Sequence, residues 1–217
     1  MSLSLRTVPR CQGSQGIECR DDEGAACPAR KEVWLSDVTP RTSPSGWEYP
    51  VTEERDGRAL SVIVCGAGPA AAIGSFIALA HERRWTVQVI ATPAAVEFFD
   101  QAAIEKQTGS PVKSQYSKPG APRSQIPDAI VVAPATYNTI NKWAQGISDT
   151  YALGVLAEIT GLDTPIVVLP FVNSALASRD PFRRSVESLR NEGVRILLGP
   201  GAFEPHPPRT GGGVIDT

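Results

Sequence analysis

Between residues 136 and 139 the chain places a hydroxyl, an amide and a second hydroxyl within four positions, Thr136-Tyr137-Asn138-Thr139. Neutral donors and acceptors at that density, where a helix begins, suit a phosphate or the edge of a heterocycle. Thr136 or Asn138 could equally serve as an N-cap. A second candidate is Gly66-Ala67-Gly68-Pro69-Ala70-Ala71, formally a G-x-G-x-x-A turn. Its glycines would let main-chain N–H groups approach a phosphate, although a tight strand-to-helix turn needs glycine regardless. Where a dinucleotide site wants an acidic residue for the ribose, this chain has Ala91-Thr92-Pro93. A threonine there suits a mononucleotide phosphate better. Histidine is scarce, with only His81 and His206 in 217 residues. A histidine cluster, for a metal or for acid–base work, is therefore excluded, and no metal is expected. His81 lies towards the end of a helix-length segment and reads as a surface residue. His206, flanked by Pro205, Pro207 and Pro208 and followed by Arg209, is the candidate acid or base, because imidazole titrates nearest neutral pH.

These residues fall at the ends of short apolar runs. Residues 61–65, 86–90, 129–133, 165–169 and 194–198 read as strands buried on both faces. Helical segments are expected over 70–84, 94–107, 138–145, 150–159 and 182–191. Such alternation implies right-handed crossovers and a Rossmann-like, doubly wound parallel α/β sheet. In such sheets ligands bind at the carboxyl ends of the strands, near the switch point. Those ends are 66–69, 91–93, 134–138, 170–173 and 199–201, so the site is confined to them. Residues 108–127 form a long Ser, Pro, Gly and Lys-rich connection, of the kind that is usually functional or mobile.

Composition divides the chain. Residues 1–58 carry 8 basic and 10 acidic side chains, whereas the remaining 159 residues carry 13 of each. The first segment has little apolar periodicity and buries too little to offset its ordering entropy. It reads as a polar, partly disordered arm, with Val33, Trp34, Leu35 and Trp47 as the residues that could dock. Residues 59–217 then form the single domain, ending in a Gly/Pro-rich tail. Cys11, Cys19 and Cys27 recur every eight residues without the close pairing of a zinc site. Free thiols fit a reducing cytoplasm, and Cys65 reads as a small core residue. A net charge of −2 argues against a nucleic-acid partner, and no apolar run is long enough to span a membrane.

The block Pro134-Ala135-Thr136-Tyr137-Asn138-Thr139, with Lys142, Ala144, Gly146 and Asp149 after it, resembles the P-A-S-A-N-T signature of the FMN-dependent cysteine decarboxylases. That family includes phosphopantothenoylcysteine decarboxylase and the lantibiotic-peptide decarboxylases. Gly66, Thr92 with Ala94–Ala95 and Phe98–Phe99, Pro170-Phe171-Val172-Asn173 and Pro181–Phe182 extend the match over residues 60–206. The resemblance implies FMN as cofactor, held between subunits of a homo-oligomer, a trimer or a multiple of trimers. It puts the phosphate among Gly66, Ala67, Gly68 and Thr92, with Pro134, Thr136, Asn138 and Thr139 facing flavin or substrate. Asn173 and Arg209 are the expected substrate contacts, and Asn138 joins His206 as a catalytic candidate. The implied reaction is flavin-dependent, an oxidative decarboxylation of a small molecule or peptide.

Three departures stand out. No histidine stands shortly before the third strand, where the chain reads Gln125-Ile126-Pro127-Asp128. The methionine of P-x-M-N is Val172. The family's cysteine-bearing substrate clamp is replaced by Glu204-Pro205-His206-Pro207-Pro208-Arg209. The expectation is that this proline-stiffened segment folds His206 and Arg209 over the flavin as a lid. The alternatives are an FMN-binding regulatory or assembly protein without decarboxylase chemistry, and a flavin prenyltransferase-like enzyme. Asp149 is expected to cap the helix that follows it.

Overall fold

A computed structural model describes residues 57–118, 120, 126–162, 164–199 and 201–210. Residues 1–56 of the expected polar arm, with its cysteines and tryptophans, and Gln125 lie outside the described residues, whereas Arg58, expected to end the arm, begins the first strand. Five parallel strands, β1 (Arg58–Val64), β2 (Trp85–Ala91), β3 (Ala129–Ala135), β4 (Ile166–Pro170) and β5 (Arg195–Ile196), form one sheet in the order β2-β1-β3-β4-β5. The doubly wound α/β expectation therefore holds. Because β2 lies on one side of β1 and β3 on the other, the strand order reverses between β1 and β3. That places the switch-point crevice at the carboxyl ends of those two strands.

The helices cover the two faces unequally. α1 (Ile73–Glu82) and α2 (Gln101–Thr108) share one face, where Ile73, Ile77 and Ile104 pack on Leu60, Val62, Val64, Val87 and Val89. α3 (Tyr137–Ala144), α4 (Tyr151–Thr160) and α6 (Asp180–Asn191) cover the other, with Ile140, Leu156, Phe182 and Leu189 against Ile63, Ile130, Val132 and Val168. Since α2 stays on the side of α1, the described part of the return from β2 to β3, residues 111–118, runs without a helix. Lys113 pairs with Ile90 at the outer edge of β2. Farther along, Tyr116 meets Tyr151 edge-on at 5.2 Å. No helix among the described residues is long and apolar enough to cross a membrane.

Local structure departs from the sequence expectation at three places. The helix anticipated over 70–84 begins as a 3-10 turn, Gly68–Ala72, before α1. The one anticipated over 94–107 is split into a 3-10 turn, Pro93–Phe98, and α2, whose N-cap Asp100 accepts from Ala103 N at 3.1 Å. In both cases proline at the entry admits a helical start, while the turn stays close to the strand it leaves. A one-turn helix, α5 (Ser174–Ala177), follows β4 and is too short for periodicity to reveal.

Candidate functional site

The switch-point crevice is built from two turns and a helix start. The turn after β1 lies directly against the turn after β2. A Cβ on Gly66 would stand 2.8 Å from the Ala94 carbonyl oxygen, so only glycine permits this approach. Thr92 enters the same junction, with its N–H donating to Val64 O at 2.9 Å and its side chain buried. Ala67 and Pro69 are half-buried and Gly68 is exposed, leaving the turn open at its rim. Gly66, Ala67, Gly68 and Thr92, expected as one group, are brought together.

At the end of β3, Thr136 is the N-cap of α3, and its Oγ1 accepts from Thr139 N at 3.4 Å. Asn138, the other candidate cap, is exposed on the first turn with its amide clear of capping. Thr139 is buried, with its hydroxyl 3.1 Å from Thr136 Oγ1 and accepting the Cys65 thiol at 3.3 Å. Pro134 is buried, and its carbonyl accepts Cys65 N at 3.1 Å, tying β3 to the end of β1. Burial pushes the Cys65 thiol well up, against the lowering influence of the Thr139 hydroxyl and of the Thr136 N–H and hydroxyl.

His206 is held at the end of β4. Its ring stacks on Phe171 at 5.0 Å and 25°, and its carbonyl accepts Ser174 N at 2.8 Å. Phe203 pairs with Leu198, so the segment is stitched at both ends, and Phe203 also packs against Phe171 at 5.8 Å. Phe171 N donates to Ala135 O at 2.8 Å, which links this stack to the residue before Thr136. His206 Nδ1 is buried with no hydrogen-bond partner among the described residues. Asn173 pairs with His206 and caps α5, its Oδ1 accepting from Leu176 N at 2.9 Å; Arg209 is exposed.

The expected cap role of Asp149 is overturned. Thr150 is the N-cap of α4, accepting from Leu153 N at 3.3 Å, while Asp149 forms an ion pair with Lys142. The hydroxyl directly before the helix reaches its free N–H groups; the carboxylate one residue earlier reaches back to α3 instead. Asp128, in the segment where a histidine base would be sought, brackets β1: its Oδ2 accepts Ala59 N at 2.6 Å and its own N–H donates to Ala59 O at 2.8 Å. Sequence reasoning placed Cys65 in the core but missed its bond to Thr139, since a contact across 74 residues leaves no local signal. A cavity of about 850 Å³ lies apart from the crevice, between α4 and a β1–β2 face that no helix covers among the described residues. Its lining includes Ser61, Gln88, Tyr116 and Glu158 but none of the expected site residues.

The donor set of the crevice is hydroxyl, amide and main chain, and the His206 imidazole stands at the end of β4, next in the sheet to β3. That chemistry fits a flavin mononucleotide, which needs neutral hydrogen-bonding groups around its ring and main-chain N–H groups at its phosphate. The family model described as Flavoprotein matches residues 48–209. The bifunctional coenzyme A biosynthesis protein CoaBC of Vibrio vulnificus is 31% identical over 131 residues, 57% of this chain and 31% of that protein. CoaBC of Thermococcus kodakarensis is 27% identical over 117 residues, 51% of this chain and 29% of that protein. The matches thus span about a third of the curated relatives' length. The FMN-dependent cysteine decarboxylase SpaF superposes with a TM-score of 0.57 at 25% identity, covering 65% of this chain and 83% of SpaF. The cypemycin decarboxylase CypD gives 0.55 at 27%, with 65% and 83% covered. HAL3 from Cryptococcus neoformans, at 20% identity, shares the fold with a TM-score of 0.58 over 70% of this chain and 89% of its own. The expected resemblance is borne out, and this chain belongs to the Flavoprotein family.

Proposed function

We propose that the chain binds FMN in the β1–β3 crevice and uses it for an oxidative decarboxylation of a small molecule or peptide bearing a thiol and a carboxylate. The Gly66–Gly68 turn and Thr92 would hold the phosphate, and Pro134, Thr136, Asn138 and Thr139 would form the wall beside the ring. Bound FMN supplies a two-electron acceptor. The protein's part is to orient the substrate and move a proton. Asn138, exposed at the first turn of α3, and Asn173 at the end of β4 present amides to the substrate. Arg209, exposed three residues after His206, would supply the counter-charge for a carboxylate.

The observation that carries the reading is the placement of His206. This chain lacks a histidine shortly before β3, and the C-terminal segment instead brings an imidazole to the end of β4, stacked on Phe171 with a buried nitrogen that has no hydrogen-bond partner among the described residues. An imidazole so placed can take the proton the substrate loses as it is oxidised, before carbon dioxide departs. His206→Ala should abolish carbon dioxide release by at least about a hundredfold, the lower end of what general acid–base groups contribute. The yellow flavin absorbance should be retained. Unchanged turnover would overturn the role of His206. Tight FMN binding by the wild-type protein, with no turnover on any thiol-bearing carboxylate, would favour the regulatory or assembly reading, which the missing histidine before β3 supports.

A further inference from the structure

We propose that the cavity between α4 and the open face of β1 and β2 is the docking site of a segment of this same chain, residues 47–51.

A parallel sheet is normally covered on both faces. α1 and α2 cover β1 and β2 on one side, whereas on the other the space between these strands and α4 is the cavity of about 850 Å³. Its floor is polar where a covered strand would be apolar. Ser61 stands opposite Gln88 in the register of the two strands, and both line the cavity. Ser61 is only 7% exposed, yet its hydroxyl has no hydrogen-bond partner among the described residues. Gln88 donates its amide nitrogen to Val89 O and Pro111 O, at 3.1 and 2.8 Å, which leaves its side-chain oxygen to accept. Ile90, Val155 and Ile159 supply apolar walls. The site therefore suits a large apolar body with a polar atom at its tip, the character of tryptophan and tyrosine side chains.

The chain carries such a body next to the opening. Trp47-Glu48-Tyr49-Pro50-Val51 places its large apolar residues at every second position, so an extended run sets all three on one face. The distance is short. Ala59 and Ser61 of β1 line the cavity, and Val51 lies six residues before Gly57. Six extended residues span about 20 Å. Gly57 takes φ +128°, which only glycine adopts readily, and this breaks the extended line of β1 so that the preceding chain can turn back over the face. Charge agrees with the assignment. Residues 48–56 hold four acidic side chains and one basic, and the cavity presents Lys113 and Lys118 against the single Glu158. Docked there, Trp47 and Tyr49 bring an N–H and an O–H to the Ser61 hydroxyl and the Gln88 oxygen.

The test uses the full chain. The emission of Trp47, taken as the difference between wild type and Trp47→Phe, should be blue-shifted and shielded from acrylamide relative to a free peptide of residues 42–56. Trp47→Ser should speed tryptic cleavage after Arg55 at least about tenfold, because cleavage follows the population of the undocked segment. That variant alters no residue of the sheet, so unfolding of the strands cannot mimic its effect. Val155→Phe and Ser61→Phe, which fill the cavity from its wall and from its floor, should likewise expose Trp47 and speed the cleavage. Neither should add to Trp47→Ser, since the contact it would break is already gone. Trp47 as accessible in the wild type as in the peptide would overturn the proposal, as would unchanged cleavage in Trp47→Ser. Shielding that is lost on dilution would overturn it in favour of a second copy of the chain in the cavity. Shielding that survives both fillings would overturn it by placing Trp47 elsewhere.

Discussion

At the residue scale, three neighbouring side chains divide the work of one helix start. Thr136 caps α3, Asn138 is left exposed, and Thr139 turns inward to Cys65. The sequence displays all three as a polar cluster, and only their directions separate a structural role from a binding one. Cys65 also has a consequence for stability. Its pKa is raised in the folded protein by burial. The neutral thiol's contribution is therefore fully present below the pKa of the unfolded thiol. It is lost as pH rises from there through the folded value. Melting temperatures measured from pH 7 to 10 should fall more steeply in the wild type than in Cys65→Ser, whose hydroxyl does not titrate. Parallel curves would show that the thiol is not held protonated.

At the element scale, the crevice depends on how closely turns and helices approach. Gly66→Ala forces a methyl group onto the Ala94 main chain, which cannot swing aside as a side chain could. Overpacking of this kind costs about 1–3 kcal/mol, and here it also separates the two turns proposed to hold the phosphate. The expected outcome is a lower denaturation midpoint together with impaired FMN uptake; wild-type behaviour in both would show that the turns are not in contact. α3 is held from behind by Phe182, which is fully buried and stacks on Tyr137 at 5.5 Å. Phe182→Ala should cost about 3–5 kcal/mol in urea unfolding. A cost below about 1 kcal/mol would mean that the α3–α6 contact is loose.

At the scale of the whole molecule, the site lies along one edge of the sheet and has an open side. Phe98, 40% exposed, stands on the turn after β2 that flanks it. An exposed aromatic beside an open crevice is consistent with a subunit partner covering it. We propose the trimer or multiple of trimers that the family resemblance implies. Light scattering should give three times the 23.1 kDa chain mass or a multiple of that, and Phe98→Glu should lower both the mass and FMN retention. A monomer that holds FMN as tightly would end the proposal.

The sequence by itself determined the layer architecture, since five apolar runs separated by helix-length segments allow little besides a parallel doubly wound sheet. It also confined the site to the strand ends, because ligand geometry in such sheets follows from chain direction. It could not show that the helices after β1 and β2 start as 3-10 turns, because a 3-10 turn and an α-helix share the same composition. Nor could it decide between Asp149 and Thr150 as a cap, a matter of one residue of reach. Only the tertiary structure drew His206 out of a proline-rich stretch and set it on Phe171. Likewise it alone connected Cys65 to Thr139. Both depend on side chains distant along the chain meeting where parallel strands end side by side, and such contacts leave no trace in local spacing.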